Sequence, residues 1–369
     1  GVWDYIKNRA PERDRAACWA LHFLGRLPGK RENRRIVGDH ILTQHDIEAG
    51  GTFPDVVGYG GWSMDDHHPA GLLFPGEPTI FHPAPSPYGI PFRCLYSVDT
   101  PNLLMAGRNI SATHSAMSST RVMATCAVLG QAAGTAAALC ARHSVSPRRL
   151  HAQHLAELQQ TLMDDDCWLP GKLRLPHDRW FEARLSDTGE NAEALLDGWE
   201  RDRENAPHAW TCDPGGHVTF QWNRTLTFPG LRLVLDSNLN HDKRMACEYP
   251  QPNHGSALPG DLARDIDLLI DNGAGAWIPL RQIRDNRKRL LELPDPFETR
   301  ALRIRLLRSW SDVTPPRLFS VDFLTKGRDT TFQPPAGPAW KDILAATPPQ
   351  ELRPPDTQAA GRPRTSHRA

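Results

Sequence analysis

The chain has 369 residues, enough for two ordinary domains that each bury their own core. Its 43 basic and 43 acidic residues balance, which gives no electrostatic footprint for nucleic acid or an anionic membrane, and we expect neither as a partner. Seven scattered cysteines, none spaced as CxxC, argue against a zinc site and against a disulfide framework.

The chain begins without an initiator methionine, a signal peptide or a strand followed by a glycine-rich turn. Motifs that normally sit deep in a domain start within the first thirty residues. We therefore expect the N-terminal part of the first domain to be missing from this sequence. The cellular location is left open for that reason, and the chain is expected to be soluble.

Residues 1–100 are rich in loops and carry two groups of candidate site residues. The first is the run PGKRENRRIVGDH, where Arg34 and Arg35 belong to a dense charged cluster. Such a cluster can be a solvated loop or a set of internal salt bridges. It can also line a substrate site, because arginine pairs with carboxylates through two parallel hydrogen bonds.

The second group is YGGWSMDDHHPAG, which places Trp62, Asp65, His67 and His68 within seven residues. An aromatic ring, a carboxylate and imidazoles can bind a sugar or transfer a proton. Two adjacent histidines with one aspartate are an incomplete metal site, and we predict no metal. A structural loop is an equally good interpretation of this segment.

Residues 102–142 predict a short buried strand, a turn at Gly107 and a long helix. Ligands of α/β sheets bind beyond the carboxyl ends of the strands, which places Gly107 and His114 near a site. We expect the helix to begin near residues 118–120 and to run to Leu139. Its residues 122–141 carry no charge, but their small side chains favour a helix buried in a core over a membrane span. On physical grounds alone, this helix could equally be a buried alanine-rich helix without a ligand.

Residues 147–170 are typical of a polar, amphipathic helical stretch that ends at Pro170-Gly171. Beyond residue 185 the pattern alternates, as in residues 231–235, 266–270, 302–306 and 321–323. Several short half-buried strands separated by turn signals predict an antiparallel sandwich. Residues 328–369 are proline-rich and polar, and we predict a disordered tail there.

Four blocks together resemble the FAD-dependent oxidoreductases of the glutathione-reductase type: PGKRENRRIVGDHILTQHDI, YGGWSMDDH, YGIPFRCL and NLLMAGRNISATH…STRVMATCAVLGQAAGTAAAL. The resemblance implies FAD as cofactor. It also implies cofactor contacts at Gly107, Arg108, Arg121, Val122 and Met123. The GxGxxG turn that grips the ADP half is absent from this sequence, so we expect weak FAD binding by these residues alone.

Residues 185–326 are similar to galactose-binding-like (discoidin-type) β-sandwiches, through an early Asp-Gly, a following tryptophan and closing strands of LRIRLL type. Some members of that group bind glycans through loops at one end. Trp199, Trp210 and Trp310 are candidates for such a role here, with core packing as the stronger alternative.

The sequence thus predicts a partial α/β dinucleotide-binding fold over residues 1–175, an all-β jelly-roll sandwich over 185–326 and a tail over 328–369. We expect hydride transfer between FAD and an organic substrate, with a carbohydrate-related compound as the narrower candidate. His114 and His67 are the catalytic candidates, and Arg34, Arg35 and Trp62 are the substrate-binding candidates. The alternative is a non-catalytic carbohydrate-binding protein that uses the sandwich. The oligomeric state does not follow from the sequence.

Overall fold

The computed structural model describes residues 1–25, 32–68, 70, 74–77, 79–202, 207–239, 258–271, 273, 275–311 and 313–324. The chain divides into two compact units, Gly1–Arg35 and Ile36–Ala369. The predicted tail lies outside the described residues, and the predicted domain limits remain predictions.

The first unit contains two short helices, α1 (Val2–Asn8) and α2 (Arg13–Ala16). The ammonium group of Lys7 joins them by donating to the carbonyl oxygens of Ala16 and Ala17, both at 2.9 Å. Near its end, Arg35 is paired with Glu32. Among the described residues, hydrogen bonds from Lys7 thus join α1 to the end of α2.

The second unit begins with a region of helices and small sheets. Its elements are α3 (Gln44–Glu48), β1 (Val56–Gly60), β2 (Met64–His67), β3 (Thr79–His82), β4 (Tyr88–Pro91), α4 (His114–Thr120), α5 (Met123–His143), α6 (Pro147–Gln153) and α7 (Leu155–Asp164). Strand β1 pairs with β4 and β2 pairs with β3, both antiparallel. Helix α5 packs closely on β1 because Gly58 has no side chain: a Cβ there would lie 3.0 Å from Leu129.

The buried strand predicted over residues 102–106 is wrong. Only Leu104 forms a bridge, to Tyr96, and Leu103 is 38% exposed. A strand of this kind needs neighbouring strands on both sides to pair its backbone groups. The described residues of this region form two-stranded antiparallel sheets, and none of them extends residues 102–106 into a ladder.

The long helix begins earlier than predicted and is interrupted. Residues 118–120 do not cap it; they are buried inside α4, whose N-cap is Thr113, accepting a hydrogen bond from the amide of Ala116. Val122 then adopts an extended conformation, with φ −67° and ψ 147°, and α5 starts at Met123. A second helix N-terminus is thereby created where a continuous helix was expected.

Helix α5 is long and apolar enough to cross a membrane by length and composition, and 33% of its most apolar window is buried within the chain. Its buried stripe consists of Thr125, Leu129, Ala132, Ala136, Leu139 and Cys140. The opposite face includes Gly130 and Gly134, beside which a Cβ would meet nothing within 4 Å. The helix is therefore buried along one stripe, less completely than the sequence indicates.

The amphipathic stretch that follows is helical in two pieces. Ser146 caps α6 by accepting from the amide of Arg149, and Pro147 occupies the first turn, where its missing N–H costs nothing. His154 separates α6 from α7.

The sandwich follows, as its alternating pattern predicts. Its strands are β5 (Arg184–Asp187), β6 (Trp210–Thr211), β7 (His217–Phe228), β8 (Leu231–Leu235), β9 (Ala263–Asp271), β10 (Trp277–Ile283), β11 (Leu290–Leu293), β12 (Phe297–Ser309) and β13 (Arg317–Phe323). One antiparallel sheet has the order β10-β9-β12-β7-β5 and the other β11-β8-β13-β6. Both sheets contribute to one hydrophobic cluster, for example Phe220 and Ile304 from the first and Leu233 and Val321 from the second.

Alternation fails in β8, where all five residues are buried. Arg232 should point to solvent on the outer face, yet it is 2% exposed. Its guanidinium donates to the carbonyl oxygens of Met163 and Asp164, at 3.0 and 2.8 Å, and pairs with Glu200. The outer face of this sheet is therefore covered by the end of α7.

A second buried arginine crosses the same junction. Arg174 is 3% exposed and pairs with Asp322, whose side chain is 1% exposed. The same carboxylate accepts hydrogen bonds from the indole of Trp180 at 2.6 Å and from the amide of His177 at 3.2 Å. The segment that links α7 to the first strand of the sandwich is thus anchored on β13.

Replacing Asp322 by asparagine should lower the free energy of unfolding by about 1.5–3 kcal/mol, because it weakens the charged hydrogen bonds of the buried Arg174 guanidinium. Asp164 and Glu200, at 3.2 and 3.5 Å from Arg174 Nε, remain as counter-charges. Urea unfolding followed by circular dichroism measures this effect. Asp295→Asn is the matched control, since the Asp295–Arg281 pair is exposed on both sides, and it should cost less than about 1 kcal/mol. Equal costs for the two variants would contradict the role of the buried pair.

Asp55 should govern the acid sensitivity of the helical region. Burial raises the pKa of this carboxyl, but hydrogen bonds from His151 and Arg93 outweigh it and hold the pKa well below its usual range. A lowered folded-state pKa stabilises the fold above the unfolded-state pKa and loses that contribution as pH falls. Asp55→Asn should cost about 1.5–3 kcal/mol at neutral pH. It should also flatten the decline in the free energy of unfolding below about pH 4, and an unchanged acid slope would contradict this assignment.

Candidate functional site

The site predicted from the sequence lies around the β2–β3 hairpin and helix α4. The imidazole Nε2 of His114, the first residue of α4, is 2.7 Å from Asp66 Oδ1 on β2. Sequence reasoning singled out His114 but not Asp66, which is 48 positions away. Regular alternation along β2 places Asp66 on the face opposite Asp65 and His67.

His67 has partners on its own hairpin. Its Nδ1 lies 2.9 Å from the hydroxyl of Thr79 on β3, and its Nε2 lies 3.5 Å from Asp65 Oδ1. Asp65 is also held from α4, because the guanidinium of Arg121 donates to its backbone carbonyl at 2.8 Å. The two catalytic candidates are therefore brought to one hairpin, each beside a different carboxylate.

A buried hydroxyl chain fixes α4 against the loop that precedes β2. Ser119 donates to the carbonyl oxygen of Trp62 at 2.5 Å, and the Tyr88 hydroxyl lies 2.5 Å from the Ser119 oxygen. Because a serine has a single hydroxyl proton, Tyr88 is the donor to Ser119. Burial raises the pKa of Tyr88 to about 12, against the lowering effect of the Ser119 hydrogen bond. Tyr88 thus stays protonated and holds the backbone of Trp62, whose side chain is 51% exposed.

The predicted cofactor contacts gather at the start of α5. Gly107 has φ +89°, and a Cβ there would meet only Cys126 Sγ at 3.9 Å and Asn109 Oδ1 at 4.0 Å. Burial raises the pKa of the Cys126 thiol and the charge of the nearby Arg108 lowers it. Gly107 and Arg108 therefore lie beside the first turn of α5, although neither follows the strand that was predicted.

The first turn of α5 has donors but no side-chain cap. Val122 is its N-cap residue and makes no capping hydrogen bond from its side chain, and the turn contains no acidic residue. Met123 is 76% exposed. The buried hydroxyl of Thr120 has no hydrogen-bond partner among the described residues. Unpaired amides at a helix N-terminus favour negative charge, so this donor set fits the electron-rich pyrimidine edge of a flavin.

The remaining candidates belong to other parts of the chain. Arg34 is exposed and Arg35 pairs with Glu32, both within the first unit. In the sandwich, Trp210 is fully buried and belongs to the core, and the indole of Trp310 donates to the carbonyl of Asn286 at 2.6 Å. Trp199 is half-buried. Trp210 and Trp310 therefore serve packing and hydrogen bonding within the sandwich.

Two of three comparisons with known proteins find similarities to this chain. Residues 2–162 match the family described as FAD dependent oxidoreductase. The search of curated proteins finds no match. Among solved structures, the family 32 carbohydrate-binding module of Streptococcus pneumoniae EndoD is 16% identical to this chain, with a TM-score of 0.30. The matched region covers 42% of this chain and 100% of the module. The family 32 module of Clostridium perfringens NanJ, in complex with galactose, is 8% identical to this chain, with a TM-score of 0.28. The matched region covers 40% of this chain and 96% of that module.

TM-scores of this size support no inference about a ligand of this chain. The assignment of residues 184–323 as a β-sandwich is based on the strand pairing of this chain itself. The match over residues 2–162 agrees with the four blocks from which the same family was predicted. Residues 2–162 are therefore similar to the FAD dependent oxidoreductase family.

Proposed function

We propose that the chain is an FAD-dependent oxidoreductase that transfers a hydride between an organic substrate and FAD. The observation that carries this proposal is the uncapped first turn of α5 beside Gly107, within the residues that match the family. Bound FAD would supply the two-electron chemistry, and the protein would supply binding, orientation and proton handling.

The cofactor would be held mainly by the backbone. The side chain of Arg121 is engaged with Asp65, so its contribution to FAD would come from its main chain. The amides of Val122 and Met123 follow directly and belong to the open start of α5. Gly107 would let the ring approach the backbone closely, since no side chain stands there.

His114 is the residue we propose for proton transfer at the substrate. When Nε2–H donates to Asp66, the neutral imidazole keeps its basic lone pair on Nδ1. The carboxylate also stabilises the imidazolium that forms when Nδ1 takes a proton. His67, which contacts Asp65 and Thr79 on the same hairpin, and the exposed indole of Trp62 remain proposals for the substrate side. Arg34 and Arg35 remain proposals for substrate binding.

Placing a carboxylate in the first turn of α5 should weaken FAD binding without harming the helix. Ala124 is exposed in that turn, and Ala124→Glu adds a negative charge that helix N-termini favour. Repulsion of only about 1.4 kcal/mol between this charge and the cofactor would lower the affinity about tenfold. Titration of the purified chain with FAD, followed by flavin fluorescence, measures the affinity.

Ala138→Glu is the matched control, because Ala138 is another exposed alanine of the same helix, fourteen positions further on. It should bind FAD like the wild type. Equal affinity of both variants and the wild type would contradict a cofactor site at the start of α5. A protein that binds no FAD and is retained on a glycan column would instead favour the carbohydrate-binding alternative.

Loss of the His114 imidazole should slow the chemistry more than it weakens cofactor binding. His114→Gln should reduce the rate of flavin reduction about 10²–10⁴-fold, the usual contribution of a positioned acid or base. The assay follows anaerobic bleaching of the flavin by the most active compound in a panel of alcohols, amines and sugars. His45→Gln, at a side chain that is 93% exposed, is the control. Unchanged reduction by His114→Gln would exclude His114 as the proton-transfer group.

A further inference from the structure

Two histidines and a glutamate meet where α5 ends and α7 begins, away from the α5 N-terminus. His143 Nε2 lies 2.8 Å from Glu157 Oε2, and His154 Nδ1 lies 3.5 Å from the same oxygen. The two imidazole rings are stacked, with centroids 4.0 Å apart and an angle of 11° between the planes. Both rings thus direct a nitrogen at one carboxylate oxygen.

The backbone holds all three side chains in defined positions. His143 is the last residue of α5, which is closed by Ser144 in the left-handed conformation, with φ 54°. His154 accepts from the amide of Leu158 at 3.0 Å and so joins the first turn of α7. Glu157 follows three positions later, a spacing that places it on the same helix face as His154.

The donor atoms suit a divalent transition metal. Imidazole nitrogen and carboxylate oxygen are zinc ligands, and two histidines with one glutamate leave a fourth position for water. The three ligand atoms lie within 4.8 Å of one another. Tetrahedral zinc with bonds of about 2.0–2.2 Å requires its ligand atoms to be about 3.4 Å apart, so the two stacked rings must rotate out of their parallel arrangement to point at one ion.

The surroundings are compatible with a bound cation. His143 and His154 are each 27% exposed and Glu157 is 37% exposed, so the site is shielded but reachable from solvent. The C-terminal end of α5 carries partial negative charge, which favours a cation there. Arg142 is the competing charge: its guanidinium is 58% exposed and lies 3.7 Å from Glu157 Oε1, the oxygen that does not face the histidines.

We propose that His143, His154 and Glu157 bind Zn²⁺ or a similar divalent transition metal, which fastens the end of α5 to the start of α7. This site shares no residue with the proposed cofactor site. In the absence of metal, the same three groups form a hydrogen-bonded cluster.

The test uses Zn²⁺ and the full chain, in competition with a chromophoric zinc chelator. The wild type should bind one Zn²⁺ per chain. His143→Gln and His154→Gln should each weaken Zn²⁺ binding about 10- to 100-fold. The control is His45→Gln with Glu48→Gln, because His45 and Glu48 form the same i,i+3 pair, at 3.5 Å, on an exposed surface. The control should bind Zn²⁺ like the wild type, and equal binding by all variants would overturn the proposal.

A second measurement reports the geometry. Co²⁺ added to the wild type should give the intense visible absorption typical of tetrahedral coordination, and Glu157→Gln should abolish it. Circular dichroism verifies that each variant is folded, so loss of binding is not loss of structure. A weak, octahedral-type Co²⁺ spectrum in the wild type would contradict a three-ligand site of this kind.

Discussion

The hydrogen bonds and ion pairs of buried arginines join α7 to the sandwich, and the arrangement of the second unit depends on them. The last carbonyl groups of any α-helix have no partner inside the helix. In α7 these groups, on Met163 and Asp164, are satisfied by Arg232 of strand β8. A guanidinium can be buried only if its charge and its N–H groups are matched, which Glu200 completes.

Arg174 and Asp322 repeat the arrangement on the next strand of the same sheet. Arg289 adds a third contact from β11's preceding turn, pairing with Asp166 at 2.8 Å. Separating the helical region from the sandwich would therefore break these ion pairs and leave the last carbonyl groups of α7 without their arginine donors. The helical region and the sandwich are physically coupled even though each has its own hydrophobic cluster.

The alternation of apolar and polar residues was sufficient to predict most strands of the sandwich. It was insufficient to predict burial on the outer face of β8, which α7 covers. Alternation in residues 302–306 predicts β12 because each apolar side chain there faces the core. The same pattern misplaces Arg232, since alternation shows which face a side chain lies on and not what covers that face. Residues 102–106 fail for a related reason: an apolar run predicts burial, but a strand also needs neighbours to pair with, and these are set by topology.

The candidate site divides in the same way. Gly107 and His114 could be identified from their neighbours in sequence and from the family resemblance. Asp66 could not, because its importance depends on a contact with His114 across 48 positions. The cluster of His143, His154 and Glu157 could not be predicted for the same reason: its residues come together only through the path of the chain from α5 through α6 to α7. Cysteine spacing predicted no zinc site, but it does not bear on a site made of histidine and glutamate.

Helix α5 connects the two proposed sites, and its stability comes from one buried stripe. Its exposed glycines, Gly130 and Gly134, each cost a helix about 1 kcal/mol relative to alanine. The 21-residue helix is about 30 Å long, with the proposed cofactor site at its first turn and His143 at its last. A ligand that stabilises one end of a cooperative helix makes opening rarer along its length, and thermodynamic linkage is reciprocal. A ligand at either end of α5 would therefore oppose opening of the helix along its whole length, without any contact between the two ligands.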